Sequence, residues 1–86
     1  MPQNNDVPEV RRRFAARLKQ LRIERGYPHA SALAVELGVD EGRYGQYERA
    51  ETEPSLTVLH KLCQVLQVSA DNLLDFPDPK PTEAHA

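Results

Sequence analysis

Leu33-Ala34-Val35-Glu36-Leu37-Gly38-Val39-Asp40 decides how this chain folds. Leu33, Ala34 and Leu37 recur at helical spacing, and with Ala30 they mark one apolar side of a short helix from about His29 to Leu37. Gly38 ends that helix, because a residue without Cβ enters the left-handed backbone region at little cost. Val39 plugs the corner with an apolar side chain. Asp40 is a good N-cap for a next helix, about Glu41 to Arg49, in which Tyr44 and Tyr47 lie three apart on one face. Small Ala34 lets the two helices cross closely. Two short helices joined by a tight glycine corner form a helix-turn-helix unit.

Working outward, the pattern stays helical. Asp6-Val7-Pro8-Glu9 reads as a capping box, with Asp6 as N-cap and Glu9 at the third helical position. A long helix follows to about Arg25, with Val10, Phe14, Leu18 and Leu21 inward, and Gly26 stops it. Pro54 and Ser55 open a fourth helix to about Gln67, with Leu56, Leu59, Leu62, Cys63 and Leu66 inward. Ser69 caps a last short helix carrying Leu73 and Leu74. The expected organisation is a polar tail over 1–5, one all-α domain of five helices over 6–76, and a proline-rich tail over 77–86 without periodicity. No strand pattern competes, and no internal repeat is present.

With 86 residues there is room for one domain. No apolar run approaches the roughly 18 residues of a membrane span, and the first residues lack the basic and apolar regions of a signal peptide. The single cysteine, Cys63, forbids an internal disulfide and fits a reducing cytoplasm, and its place on an apolar stripe makes it a small core residue. Net charge is −2, yet the charge is polarised. Arg11, Arg12, Arg13, Arg17, Lys19, Arg22 and Arg25 face only Glu9 and Glu24 across residues 9–25. Beyond residue 50, Lys61 and Lys80 face Glu51, Glu53, Asp71, Asp75, Asp78 and Glu83. Such a chain presents a basic face despite its acidic total. The run Arg11-Arg12-Arg13 reads equally as phosphate-contacting or as a solvated face.

Nothing in the sequence carries enzyme chemistry. His29, His60 and His85 lack metal-ligand companions, and no phosphate loop, nucleophile elbow or catalytic acid pair appears. The expectation is no enzyme, no metal and no cofactor.

Taken together, these pieces resemble the phage-repressor-like (Cro/C1-type, XRE-type) helix-turn-helix proteins over about residues 14–75. The matching segments are Leu18-Lys19-Gln20-Leu21-Arg22, Leu33 to Val39, Tyr47-Glu48-Arg49, Pro54-Ser55-Leu56 and Leu66 to Leu74. The resemblance implies a lambda-repressor-like DNA-binding fold and a cytoplasmic, bacterial or phage transcriptional regulator, a repressor, reading a palindromic operator as a homodimer. On that resemblance Glu41, Gly42, Arg43 and Gln46 face bases. Arg43 suits guanine, Gln46 adenine, and Glu41 a cytosine amino group. His29, Ala30 and Asp40 at helix starts, with Arg17, Arg22 and Arg49, meet DNA phosphates. Arg22 and Glu48 form a structural ion pair, and Leu73, Leu74 and Phe76 meet the second subunit. The chain departs from the family in having Ala30 for its usual glutamine, Ala50 for its glycine, one extra residue between helices 1 and 2, and glycines at 42 and 45 that weaken a helix. A second possibility, an antitoxin-like module that binds a protein partner on the same scaffold, stays open at this point.

Overall fold

The computed structural model describes residues 7–75. The expected terminal tails, the Asp6 cap and Phe76 lie outside those residues. Five helices occupy the described chain: α1 (Glu9–Glu24), α2 (Ala30–Leu37), α3 (Glu41–Glu48), α4 (Leu56–Leu66) and α5 (Ala70–Leu74). No strand occurs among the described residues, and no helix there is long and apolar enough to cross a membrane. α1 packs against α3 and α5, α2 against α3 and α4, and α4 against α5.

Each helix is bounded by identifiable chemistry. Asp40, Ser55 and Ser69 cap α3, α4 and α5, their side-chain oxygens accepting from the N–H groups of Arg43, Val58 and Asn72. α1 differs from expectation. It begins at Glu9 with Pro8 as the cap residue and no side-chain cap, so Glu9 stands at the first helical position, not the third. The Pro8 carbonyl accepts from Arg11 and Arg12 N–H at 3.0 and 3.1 Å, and proline loses nothing there because its own N–H would be unused.

The α2–α3 corner follows the glycine argument. Gly38 has φ +71°, and the Val39 N–H returns 3.0 Å to the Ala34 carbonyl, closing the end of α2. A Cβ at Gly38 would meet nothing within 4 Å, so backbone conformation alone selects glycine there. Two residues therefore suffice to bring Asp40 into position as the cap of α3.

The core is one cluster to which every helix contributes: Phe14, Leu18 and Leu21 from α1, Leu33, Ala34 and Leu37 from α2, Tyr44 and Tyr47 from α3, Leu62 and Leu66 from α4, and Leu73 from α5. Fully burying one such leucine is worth about 1.5–3 kcal/mol relative to leaving it exposed. Tyr44 and Tyr47 sit edge to face, with ring centroids 6.0 Å apart. Two residues expected inward are not. Val10 is 46% exposed and Leu56 80% exposed. Both lie in the first turn of their helices, where the helical stripe runs past the edge of the core. Leu59 and Cys63 are half-buried.

Cationic side chains close several helix ends. Arg25 Nε donates to the Leu66 carbonyl at the end of α4 (2.8 Å), and Arg17 Nε and Arg13 Nη2 donate to the Asn72 and Asp75 carbonyls at the end of α5 (3.1 and 2.8 Å). A cation at a helix C-terminus meets both an orphan carbonyl and the negative end of the helix dipole. Much of the basic run is thus engaged within the chain. Arg11 pairs with Glu53 and Arg13 with Asp75, whereas Arg12 is exposed and in no ion pair among the described residues.

Candidate nucleic-acid interface

The feature that distinguishes α3 is what it leaves outside. At about 100° per residue, Tyr44, Tyr47 and Glu48 share its inward side, and Gly42, Gly45, Gln46 and Arg49 share the other, with Glu41 and Arg43 flanking. Burial agrees. Tyr44 and Tyr47 are buried, while Glu41, Gly42, Arg43 and Arg49 are exposed and Gln46 half-exposed. The outward side therefore carries an amide, two cations, one carboxylate and two positions with no side chain at all.

Each glycine lies beside the tip of a flexible side chain. A Cβ on Gly42 would stand 3.0 Å from Asp40 Oδ2, crowding the carboxylate that accepts the Arg43 N–H at 3.2 Å. A Cβ on Gly45 would stand 2.8 Å from Arg49 Nη1, because the guanidinium lies across that part of the helix. The backbone is bare at Gly42, where a groove wall can approach it closely, while at Gly45 the Arg49 guanidinium covers it.

Behind this face α3 is anchored to α1 by a buried polar group. Arg22 Nε and Nη2 donate to Glu48 Oε2 and Oε1 at 2.6 and 3.2 Å, and Nη1 donates to the Tyr27 carbonyl at 2.8 Å. The Tyr44 hydroxyl donates to Glu48 Oε2 at 2.5 Å. Hydrogen bonding to Glu48 raises the Arg22 pKa above its already high value, against the opposing effect of burial. Burial, first, and the Glu48 carboxylate, second, push the Tyr44 hydroxyl well above the ordinary phenol range. The carboxylate thus accepts from three donors on two side chains at once and fixes the rotation of α3 about its own axis.

The expected site residues divide. Glu41, Gly42, Arg43, Gln46 and Arg49 gather on or beside the outward side of α3. His29 is the exposed cap residue of α2, with Ala30 half-buried behind it. Asp40 already spends its carboxylate on one free N–H of α3, so that helix start has fewer donors for a phosphate. Arg22 is turned inward and engaged within the chain. Its side chain is 6% exposed, and Nε, Nη1 and Nη2 each already donate within the chain. Arg17 also lies elsewhere, about 140° around α1 from Arg22, and binds both the carbonyl and the side-chain oxygen of Asn72. Of the expected subunit contacts, Leu73 is fully buried in the chain's own core and Leu74 is half-buried.

Sequence reasoning missed two participants. Tyr44 was legible as core but not as a donor to Glu48, because hydroxyl direction is invisible to periodicity. Glu51 was read as part of an acidic half; it pairs with Arg49 through Nε–Oε2 at 3.0 Å and Nη2–Oε1 at 3.3 Å. The spacing of two residues across a helix end was the available signal.

Comparison with known proteins points the same way. A family model described as "Helix-turn-helix domain" matches residues 13–76. The SPbeta prophage-derived uncharacterized HTH-type transcriptional regulator YonR of Bacillus subtilis (strain 168) is 43% identical over 61 residues, covering 71% of this chain and 56% of that protein. The HTH-type transcriptional regulator SinR of the same organism is 43% identical over 60 residues, covering 69% and 53%. The chain thus spans little more than half the length of these curated relatives. Among solved structures, the restriction-modification controller protein C.AhdI from Aeromonas hydrophila superposes with a TM-score of 0.67 at 28% identity, over 81% of this chain and 98% of that one.

Proposed function

This chain belongs to the helix-turn-helix domain family, and from that premise we propose that it is a sequence-specific regulator of transcription that binds double-stranded DNA through α3. The observation that carries the reading is the outward side of α3. Arg43, Gln46 and Arg49 project from a helix whose opposite side is locked to α1 by Glu48. A major groove about 12 Å wide admits such a helix, and a guanidinium and an amide are the two side-chain groups with bidentate matches to guanine and adenine edges. Two relatives with regulator names and a controller protein of the same fold support it.

In this reading Arg43 and Gln46 read base edges, with Glu41 and the bare backbone at Gly42 beside them. Arg49 and the N–H groups behind His29 and Ala30 meet phosphates. One such helix reads too few bases for specificity. A homodimer placing two copies of α3 about 34 Å apart reads a palindrome. The subunits meet on the α5 side, where half-buried Leu74 has surface to offer and Leu73 has none. A protein of this kind acts where the DNA is, in the cytoplasm or nucleoid, and represses by occupying its operator.

The test is a titration of the purified chain against the DNA upstream of its own coding sequence, at two salt concentrations. Tight binding that weakens steeply with salt, with a footprint of two-fold symmetry, is the expected result. Equal affinity for every duplex, or none, overturns the reading.

A further inference from the structure

Arg49 is exposed, lies on the outward side of α3, and is already occupied by a carboxylate. The backbone holds the arrangement in place. At the end of α3 the Ala50 N–H returns 3.2 Å to the Tyr47 carbonyl and the Glu51 N–H 2.9 Å to the Gln46 carbonyl. Ala50 takes φ +61° to allow it. That reversal swings Glu51 back beside the helix it has just left. Gly45 leaves the space that the Arg49 guanidinium occupies, Nη1 standing 2.8 Å from where a Cβ on Gly45 would be. The pair then closes in a two-point contact, the geometry with which a guanidinium also takes a phosphate.

We propose that Glu51 sets the DNA affinity of this protein by acting as an internal substitute for a backbone phosphate. It holds Arg49 across Gly45, so a duplex must displace it to gain that contact. The inference rests on the DNA-binding reading above. Because a phosphate contact carries no sequence information, Glu51 lowers affinity for every duplex alike and leaves base discrimination with Arg43 and Gln46. Both side chains are more than half exposed, so the exchange is shallow and fast, and it costs the fold little.

The experiment compares the wild-type chain, Glu51→Gln, Arg49→Ala and the double variant. The probes are a duplex from upstream of the coding sequence and an alternating dA-dT duplex of equal length. Glu51→Gln should tighten both by about two- to fivefold at low salt, with their affinity ratio unchanged. The salt dependence should steepen by about one counterion, because one more cation is available to a phosphate. In the Arg49→Ala background, Glu51→Gln should change nothing. A gain of the same size in that background would mean that the carboxylate merely repels DNA, and the inference fails. No gain from Glu51→Gln in a chain that binds its upstream duplex also defeats it, with the DNA-binding reading intact. If none of the four proteins binds either duplex, the DNA-binding reading itself fails and takes this inference with it.

Discussion

Arg22 and Glu48 meet in a two-point ion pair from which solvent is almost excluded, their side chains 6% and 11% exposed. The Arg22 guanidinium reaches α3 from 26 residues away in sequence, and by holding Glu48 it decides which side of that helix faces out. Breaking such a pair from one side leaves the other charge buried without its partner. Arg22→Ala should therefore cost about 3 kcal/mol, read as a fall in Tm of more than about 10 °C. Replacing the whole group with apolar side chains (Arg22→Met, Glu48→Leu and Tyr44→Phe together) should lose much less than the single change. A triple variant as unstable as Arg22→Ala would show that the pair contributes net stability, beyond orientation.

Tyr44 gives the fold an alkaline limit. Its hydroxyl is buried and donates to a carboxylate, so its folded-state pKa lies above the unfolded value of about 10. The sign follows from proton counting: below pH 10 both states hold the proton, and the stabilisation is fully present. Above pH 10 the unfolded chain releases the proton while the folded one keeps it. Stability then falls by about 1.4 kcal/mol per pH unit from this group. Tyr44→Phe removes that slope while costing about 1 kcal/mol at neutral pH for the lost hydrogen bond. Denaturant titrations from pH 8 to 11 separate the two effects. Identical slopes in both proteins would place the alkaline sensitivity elsewhere.

Why the helices were legible and parts of the site were not has one physical origin. Gly38, Asp40, Ser55 and Ser69 act on backbone groups within five residues, and Leu18, Leu33, Leu37, Leu62 and Leu66 report a helical period. Sequence displays both directly. Val10 and Leu56 satisfied the same period and still came out exposed, because period gives a direction but not whether anything stands there to pack against. Arg13 and Arg17 read as surface cations, and their actual partners at the end of α5 are 62 and 55 residues away. Such pairings depend on how α1 and α5 dock. The exposed side of α3 was readable for the opposite reason: nothing distant among the described residues covers it.

Ala50 stores strain at the end of α3. Its φ of +61° lies in the left-handed region, where a Cβ costs about 1–2 kcal/mol and a glycine nothing comparable. Ala50→Gly should raise stability by about 0.5–1 kcal/mol, the gain being trimmed by the looser unfolded chain. Gly38→Ala at φ +71° should lower it by about the same amount. Thermal unfolding of the two variants should therefore move in opposite directions. If Ala50→Gly lowers Tm, the turn is held by contacts of the alanine methyl, and strain is not its main feature.

The two arginines most easily confused from sequence, Arg17 and Arg43, should separate cleanly in the laboratory. Arg17 is spent on Asn72, where it closes the end of α5. Arg17→Ala should cost about 1 kcal/mol of stability and leave the affinity of the folded protein for DNA nearly unchanged. Arg43 is exposed at the start of α3; its backbone N–H donates to Asp40, and its side chain is in no hydrogen bond or ion pair among the described residues. Arg43→Ala should leave Tm within a degree or two but cost about 1–3 kcal/mol of binding to the preferred duplex, with preference relaxed at one base position in each half-site. Selection of binding sites from a randomised duplex pool reads that position directly. A uniform loss across all sequences would move Arg43 from base edge to phosphate, and Gln46 would then be left as the main reader on α3.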